Sequence, residues 1–114
     1  MDQFLTYINE SIAALEAEEK SLIADERKEE ANLVKIRINI YGIARSFYEV
    51  VKKSATEESF IQEYETRVRK PAEAWKVSYE KAKEHNDVEK ILIEEIKLQT
   101  LEAIIEKAKE LQEA

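Results

Sequence analysis

The chain has 114 residues, with 25 acidic and 18 basic side chains, one Gly, one Pro, one His and no Cys. Its length is that of one domain, residues 1–114, with roughly two-thirds of the unfolded surface available for a core. Without cysteine there is no disulfide framework or thiolate metal site; one histidine excludes a site of two imidazoles, and one glycine with one proline cannot supply the turns of an all-β fold.

Ala, Glu, Lys, Leu and Arg make up 61 of the 114 residues. With helical periodicity, that bias predicts an all-α antiparallel bundle of three or four long helices with coiled-coil-like packing. Segment 2–23 sets Leu5, Ile8, Ile12, Leu15 and Leu22 three and four residues apart, interrupted only by Glu19. Such a narrow seam predicts an outer helix that touches its neighbours along one edge. Asp25 is the expected N-cap of the next helix, with Glu26, Glu29 and Glu30 at its positive end. The lack of Gly or Pro near residue 24 leaves one continuous rod as the other option.

Segment 25–53 carries two apolar stripes. Leu33, Ile36, Ile40, Ile43, Phe47 and Val50 form the first; Val34, Ile38, Tyr41, Tyr48 and Val51 form the second. At 100° per residue they cover about 240° of the helix surface. A helix that apolar is contacted on more than one side, so this is the expected central element, with the core on the first stripe. Its remaining face reads Lys35, Asn39, Gly42, Ser46, Glu49 and Lys53, a solvated row.

Ser54 and Glu57 have capping-box spacing, with Thr56 the alternative cap. The third helix follows with Ile61, Tyr64, Val68, Ala72, Trp75, Tyr79 and Ala82. Its phase is kept across Pro71, which favours one kinked helix over 57–84 above two separate helices. His85, Asn86 and Asp87 read as a turn, with Asp87 capping the last segment. There the stripe runs Val88, Ile91, Leu92, Ile96 and resumes as Leu101, Ile104, Ile105, Ala108, Leu111. At the slip between them, either Thr100 caps a new helix or one long helix changes partners. No repeat of fixed period is visible.

No catalytic, metal or cofactor signature stands in the sequence. Gly42 is alone, where a phosphate loop needs several glycines. The bundle di-iron pattern needs Glu-x-x-His twice, and Ala82 stands three residues before the single His85. Ser78 lies seven residues before His85 without an orienting third group. Arg37 falls inside the apolar arc and must be paired or reach water. Glu30 and Glu26 on the same face, with Glu19, are its expected partners in a buried ion pair. The alternative is an anion pocket with Arg37 as donor and Tyr41 and Tyr48 as walls. Tyr64, Trp75 and Tyr79 are a second aromatic concentration, core by residue type or an interaction surface beside Pro71.

The net charge of −7 is spread evenly, with 11 acids and 8 bases in residues 1–57 and 14 and 10 in residues 58–114. That balance repels nucleic acid and anionic lipid. No apolar run approaches the ~20 residues of a membrane span, and the N-terminus shows no signal-peptide pattern, so a cytoplasmic protein is expected. The sequence thus favours a non-enzymatic helical scaffold acting through protein–protein contact, a homodimer that covers its surplus apolar arc. The competing reading is an anion-binding bundle or small enzyme built on Arg37, Tyr41 and Tyr48.

Overall fold

The computed structural model describes the backbone of residues 2–113 and the side chains of residues 3–112. Four helices pack against one another: α1 (Asp2–Ala24), α2 (Lys28–Ser54), α3 (Phe60–Glu84) and α4 (Val88–Glu113). The rod option is excluded, because a tight turn parts α1 from α2. Asp25 does not cap α2 as the sequence suggested; it belongs to the end of α1. The Arg27 amide donates to the Leu22 carbonyl at 2.9 Å, and the Glu26 amide to the Ile23 carbonyl at 3.1 Å. Glu26 itself is left-handed, at φ 61°. This is the Schellman closure, and it satisfies carbonyls that the helix end would leave unpaired.

The same device ends α3. Asp87 donates its amide to the Ala82 carbonyl at 2.9 Å, Asn86 donates to Lys83 at 3.2 Å, and Asn86 has φ 54°. Asp87 then caps α4 as expected, its Oδ1 accepting from the Lys90 amide at 3.1 Å. The two turns lie 60 residues apart, and the helices on either side keep that spacing. Phe4 and Tyr64, Ile8 and Val68, Ile12 and Ala72, Ala44 and Ile104, Tyr48 and Ala108 are all buried. The chain is therefore two helical hairpins built to one plan, a repeat the sequence reading missed. At that offset only Thr6/Thr66, Ala14/Ala74, Glu29/Glu89 and Ile36/Ile96 are identical, so what repeats is burial and turn geometry.

Between the hairpins, residues 55–59 connect α2 to α3. The Ser54–Glu57 capping box is not formed and Thr56 is not the N-cap of α3, which is Ser59; Thr56 and Ser59 instead brace the turn before the helix. The Ser59 amide donates to Thr56 Oγ1 and the Thr56 amide donates to Ser59 Oγ, each at 3.1 Å. α3 stays helical through Pro71, although the ring removes the bond to the Arg67 carbonyl. α4 is also unbroken. Thr100 is buried within it and caps nothing, so the slip in the stripe marks a long helix changing partners.

α2 packs against all three other helices, as its two stripes required. The core is not centred on the first stripe as expected but straddles the two: Val34, Tyr48 and Val51 of the second stripe, Ile40 of the first and Ala44 between them are buried, whereas Leu33, Ile36, Ile43 and Phe47 are partly covered and Val50 is 49 % exposed. The reason lies in α1, whose contact row includes Phe4, which its expected seam omitted. Phe4 is fully buried, with ring centroids 6.0 Å from Tyr48 and 5.2 Å from Tyr64. Phe60 closes the group at 5.7 Å from Tyr48 and 5.5 Å from Tyr64. Four rings from three helices thus anchor the core, and α4 covers them with Leu101, Ile104, Ile105 and Ala108. The Tyr64 hydroxyl donates to the Ala44 carbonyl at 2.8 Å, and burial raises it above the usual tyrosine range.

The molecule measures 43 × 35 × 21 Å, so its thin dimension is two helix layers. Its radius of gyration is 15.4 Å, against ~13 Å for a compact globule of this length. The excess reflects hairpins joined mainly at their open ends. The core comes from the first half of α1 and α3 and the second half of α2 and α4, and Ile23 and Val88, beside the turns, are exposed.

Candidate functional site

Arg37 and Tyr41 are one helical turn apart on α2 and face α4. Together with Ile96, Gln99, Thr100 and Ala103 they line a cavity of about 240 Å³. Thr100 is buried there and Arg37 is half-buried. Among the described residues Arg37 forms no ion pair, which departs from the expected buried pair. Glu30 instead pairs with Arg27, three residues away on the exposed start of α2. Glu26 lies in the turn and outside the helix, so its carboxylate does not continue the row toward Arg37. Glu19 is half-buried on α1 and makes no ion pair either.

Tyr41 shares a 2.7 Å hydrogen bond with the Tyr7 hydroxyl of α1. Burial and that bond raise the Tyr7 hydroxyl above its usual range. Tyr48 does not line the cavity. It shares the Arg37 face but lies eleven residues further on, roughly 16 Å along the axis, among the core rings. Tyr64 is likewise a core ring. Trp75 and Tyr79, eleven and fifteen residues beyond it, are half-buried, with Lys97 Nζ 6.0 Å from the Trp75 ring and Lys83 Nζ 5.0 Å from the Tyr79 ring. The three aromatics therefore form no common surface. His85 is the C-cap residue of α3.

Two features escaped the sequence reading. The first is Glu94, 5 % exposed within α4. Its Oε1 accepts from Lys97 Nζ at 3.2 Å, and its buried Oε2 has no partner among the described residues. In the first hairpin the matching position is Val34, a difference visible only once the 60-residue offset is known. The second is a groove of about 490 Å³ along α2 beside α1, lined by Ile12, Glu16, Ile38, Asn39, Gly42, Ile43, Arg45 and Ser46. At Gly42 an added Cβ would meet nothing within 4 Å. Ser46 Oγ donates back to the Gly42 carbonyl at 3.1 Å, and Arg45 Nη1 donates to Asn9 Oδ1 of α1 at 2.9 Å. The row Lys35–Asn39–Ser46–Glu49 is exposed, as the sequence indicated.

Fold and surface together define an all-α protein of two helical hairpins with one open, partly apolar helix face and one small cationic cavity. Scans against protein-family models, curated proteins and solved structures each found no match to this chain. Among the described residues, no helix is long and apolar enough to cross a membrane, and no group of three or more His, Asp or Glu is placed to hold a metal ion.

Proposed function

We propose that this is a non-enzymatic, cytoplasmic interaction protein that works through helix–helix contact and associates with itself. The observation that carries this reading is the first stripe of α2. Ile36, Ile43 and Phe47 are incompletely covered, and Val50 is 49 % exposed, although three helices already pack on α2. A row of large apolar side chains along one helix is a surface that a second helix covers. The net charge of −7 disfavours nucleic acid as the partner. The test is Val50→Lys, a charge placed in the stripe at a position that the fold leaves open. Light scattering is expected to show the wild-type dimer shifting toward the monomer with unchanged helical circular dichroism. An identical mass distribution for the two proteins would contradict the reading.

Arg37 supports a second reading, the binding of a small oxyanion. Arg37 lines an open cavity and forms no ion pair among the described residues, and Gln99 and Thr100 in the lining carry side-chain donors. The volume is below the ~300 Å³ at which pockets for drug-sized ligands begin, so the fitting class is an inorganic phosphate or a short carboxylate. Titration calorimetry with phosphate checks it: binding that Arg37→Met abolishes supports the pocket, and no heat with the wild type dismisses it.

A further inference from the structure

We infer that the self-association surface is the open face of α2, paired antiparallel with the same helix of a second copy about a two-fold axis between Gly42 and Ile43. This inference rests on the self-association proposed above and adds the face, direction and register. The face holds Lys35, Ile36, Asn39, Gly42, Ile43, Ser46, Glu49 and Val50 at heptad-related spacing. A two-fold axis at residues 42–43 brings close those positions whose numbers sum to 84–86, and three of the pairs so formed are complementary. Ile43 of one copy stands over Gly42 of its partner, where no atom lies within 4 Å of a Cβ position. Asn39 meets Ser46, whose hydroxyl donates to the Gly42 carbonyl and keeps lone pairs free to accept from an amide. Lys35 meets Glu49. Both are exposed, and neither is in an ion pair within the chain among the described residues. Because the interface is isologous, each contact occurs twice. A parallel pairing would set Lys35 against Lys35 and Glu49 against Glu49, like charges that oppose association.

The fold gives no other reason for Gly42. Glycine within a helix costs about 0.5–1 kcal/mol relative to alanine, and no neighbouring atom of the chain forbids a side chain there. In the paired helices that missing side chain is the hole that receives Ile43.

The test is charge reversal with rescue, read as the dimer dissociation constant by sedimentation equilibrium. Lys35→Glu and Glu49→Lys each turn two attractive contacts into two repulsive ones, and each is expected to weaken the dimer about tenfold. The double variant restores both contacts with reversed sign and is expected to return to within about threefold of wild type. A wild-type dimer unaffected by the single reversals, or a double variant no tighter than the singles, would overturn this face and register while leaving self-association standing. A wild-type monomer would overturn both. Helical circular dichroism of each variant, unchanged because both positions are solvent-facing, keeps a folding defect from imitating either result.

Discussion

Glu94 shows how a single residue departs from its surroundings. A carboxylate oxygen that is buried and unpartnered costs roughly 1–3 kcal/mol relative to a satisfied or apolar group. Lys97, its one ion-pair partner among the described residues, keeps part of its side chain in water and returns to solvent when released. Glu94→Leu is therefore expected to raise stability in urea by about 1–3 kcal/mol; a loss would mean that the carboxylate has a stabilising role the fold does not reveal. Arg37 illustrates the opposite case. The helical wheel placed it within the apolar arc, and a buried pair would make its truncation severe. Arg37 is half-buried, lines an open cavity and forms no ion pair among the described residues. Arg37→Ala is thus expected to change unfolding free energy by about 1 kcal/mol or less. The wheel gave the correct face but not the depth, because depth depends on how α4 crosses α2.

At the scale of elements, sequence signals were strongest where one side chain closes one backbone bond. Asp87 caps α4 as its position indicated, whereas Thr56 braces the turn before α3 and leaves the N-cap to Ser59. The α1–α2 turn was harder to place, because its left-handed residue is Glu26, where Gly or Asn is usual. A non-glycine residue in that conformation costs roughly 1 kcal/mol, so Glu26→Gly is expected to stabilise the protein by up to ~1 kcal/mol in thermal or urea unfolding. Asn86→Gly is expected to gain less, since asparagine tolerates the same conformation. Between α3 and α4 an ionic cluster adds a pH-dependent link. Arg69 pairs with Glu102, Arg69 Nε lies 2.9 Å from Glu65, and Lys109 Nζ lies 3.1 Å from Glu65. Arg69 holds the Glu102 carboxyl below its ordinary range, and Arg69 followed by Lys109 does the same for Glu65. A lowered carboxyl contributes stability above its unfolded value and loses it as pH falls through the folded one. Stability is expected to decline between about pH 5 and pH 3, and Arg69→Ala is expected to flatten that decline. These groups are partly exposed, so each pair contributes under about 1 kcal/mol. Equal slopes for the two proteins would place the acid sensitivity elsewhere.

For the whole molecule, composition and periodicity were enough to specify an all-α bundle of three or four long helices with segment 25–53 at the centre. They did not specify the two-hairpin plan. That plan resides in buried positions whose residue types differ between halves, such as Tyr48 against Ala108 and Ile12 against Ala72, large against small. They also centred the core on one α2 stripe where it straddles both, because a helix with 240° of apolar surface does not show which part its own chain covers. The surplus is the consequential part: it leaves Ile36, Ile43, Phe47 and Val50 incompletely covered beside an open glycine, and the account of function depends on what fills that face. Sedimentation equilibrium of the unmodified chain across the micromolar range is the most direct test. The account predicts a mass rising with concentration from that of the 13.3 kDa chain toward twice that value, and a constant mass of one chain throughout would contradict it.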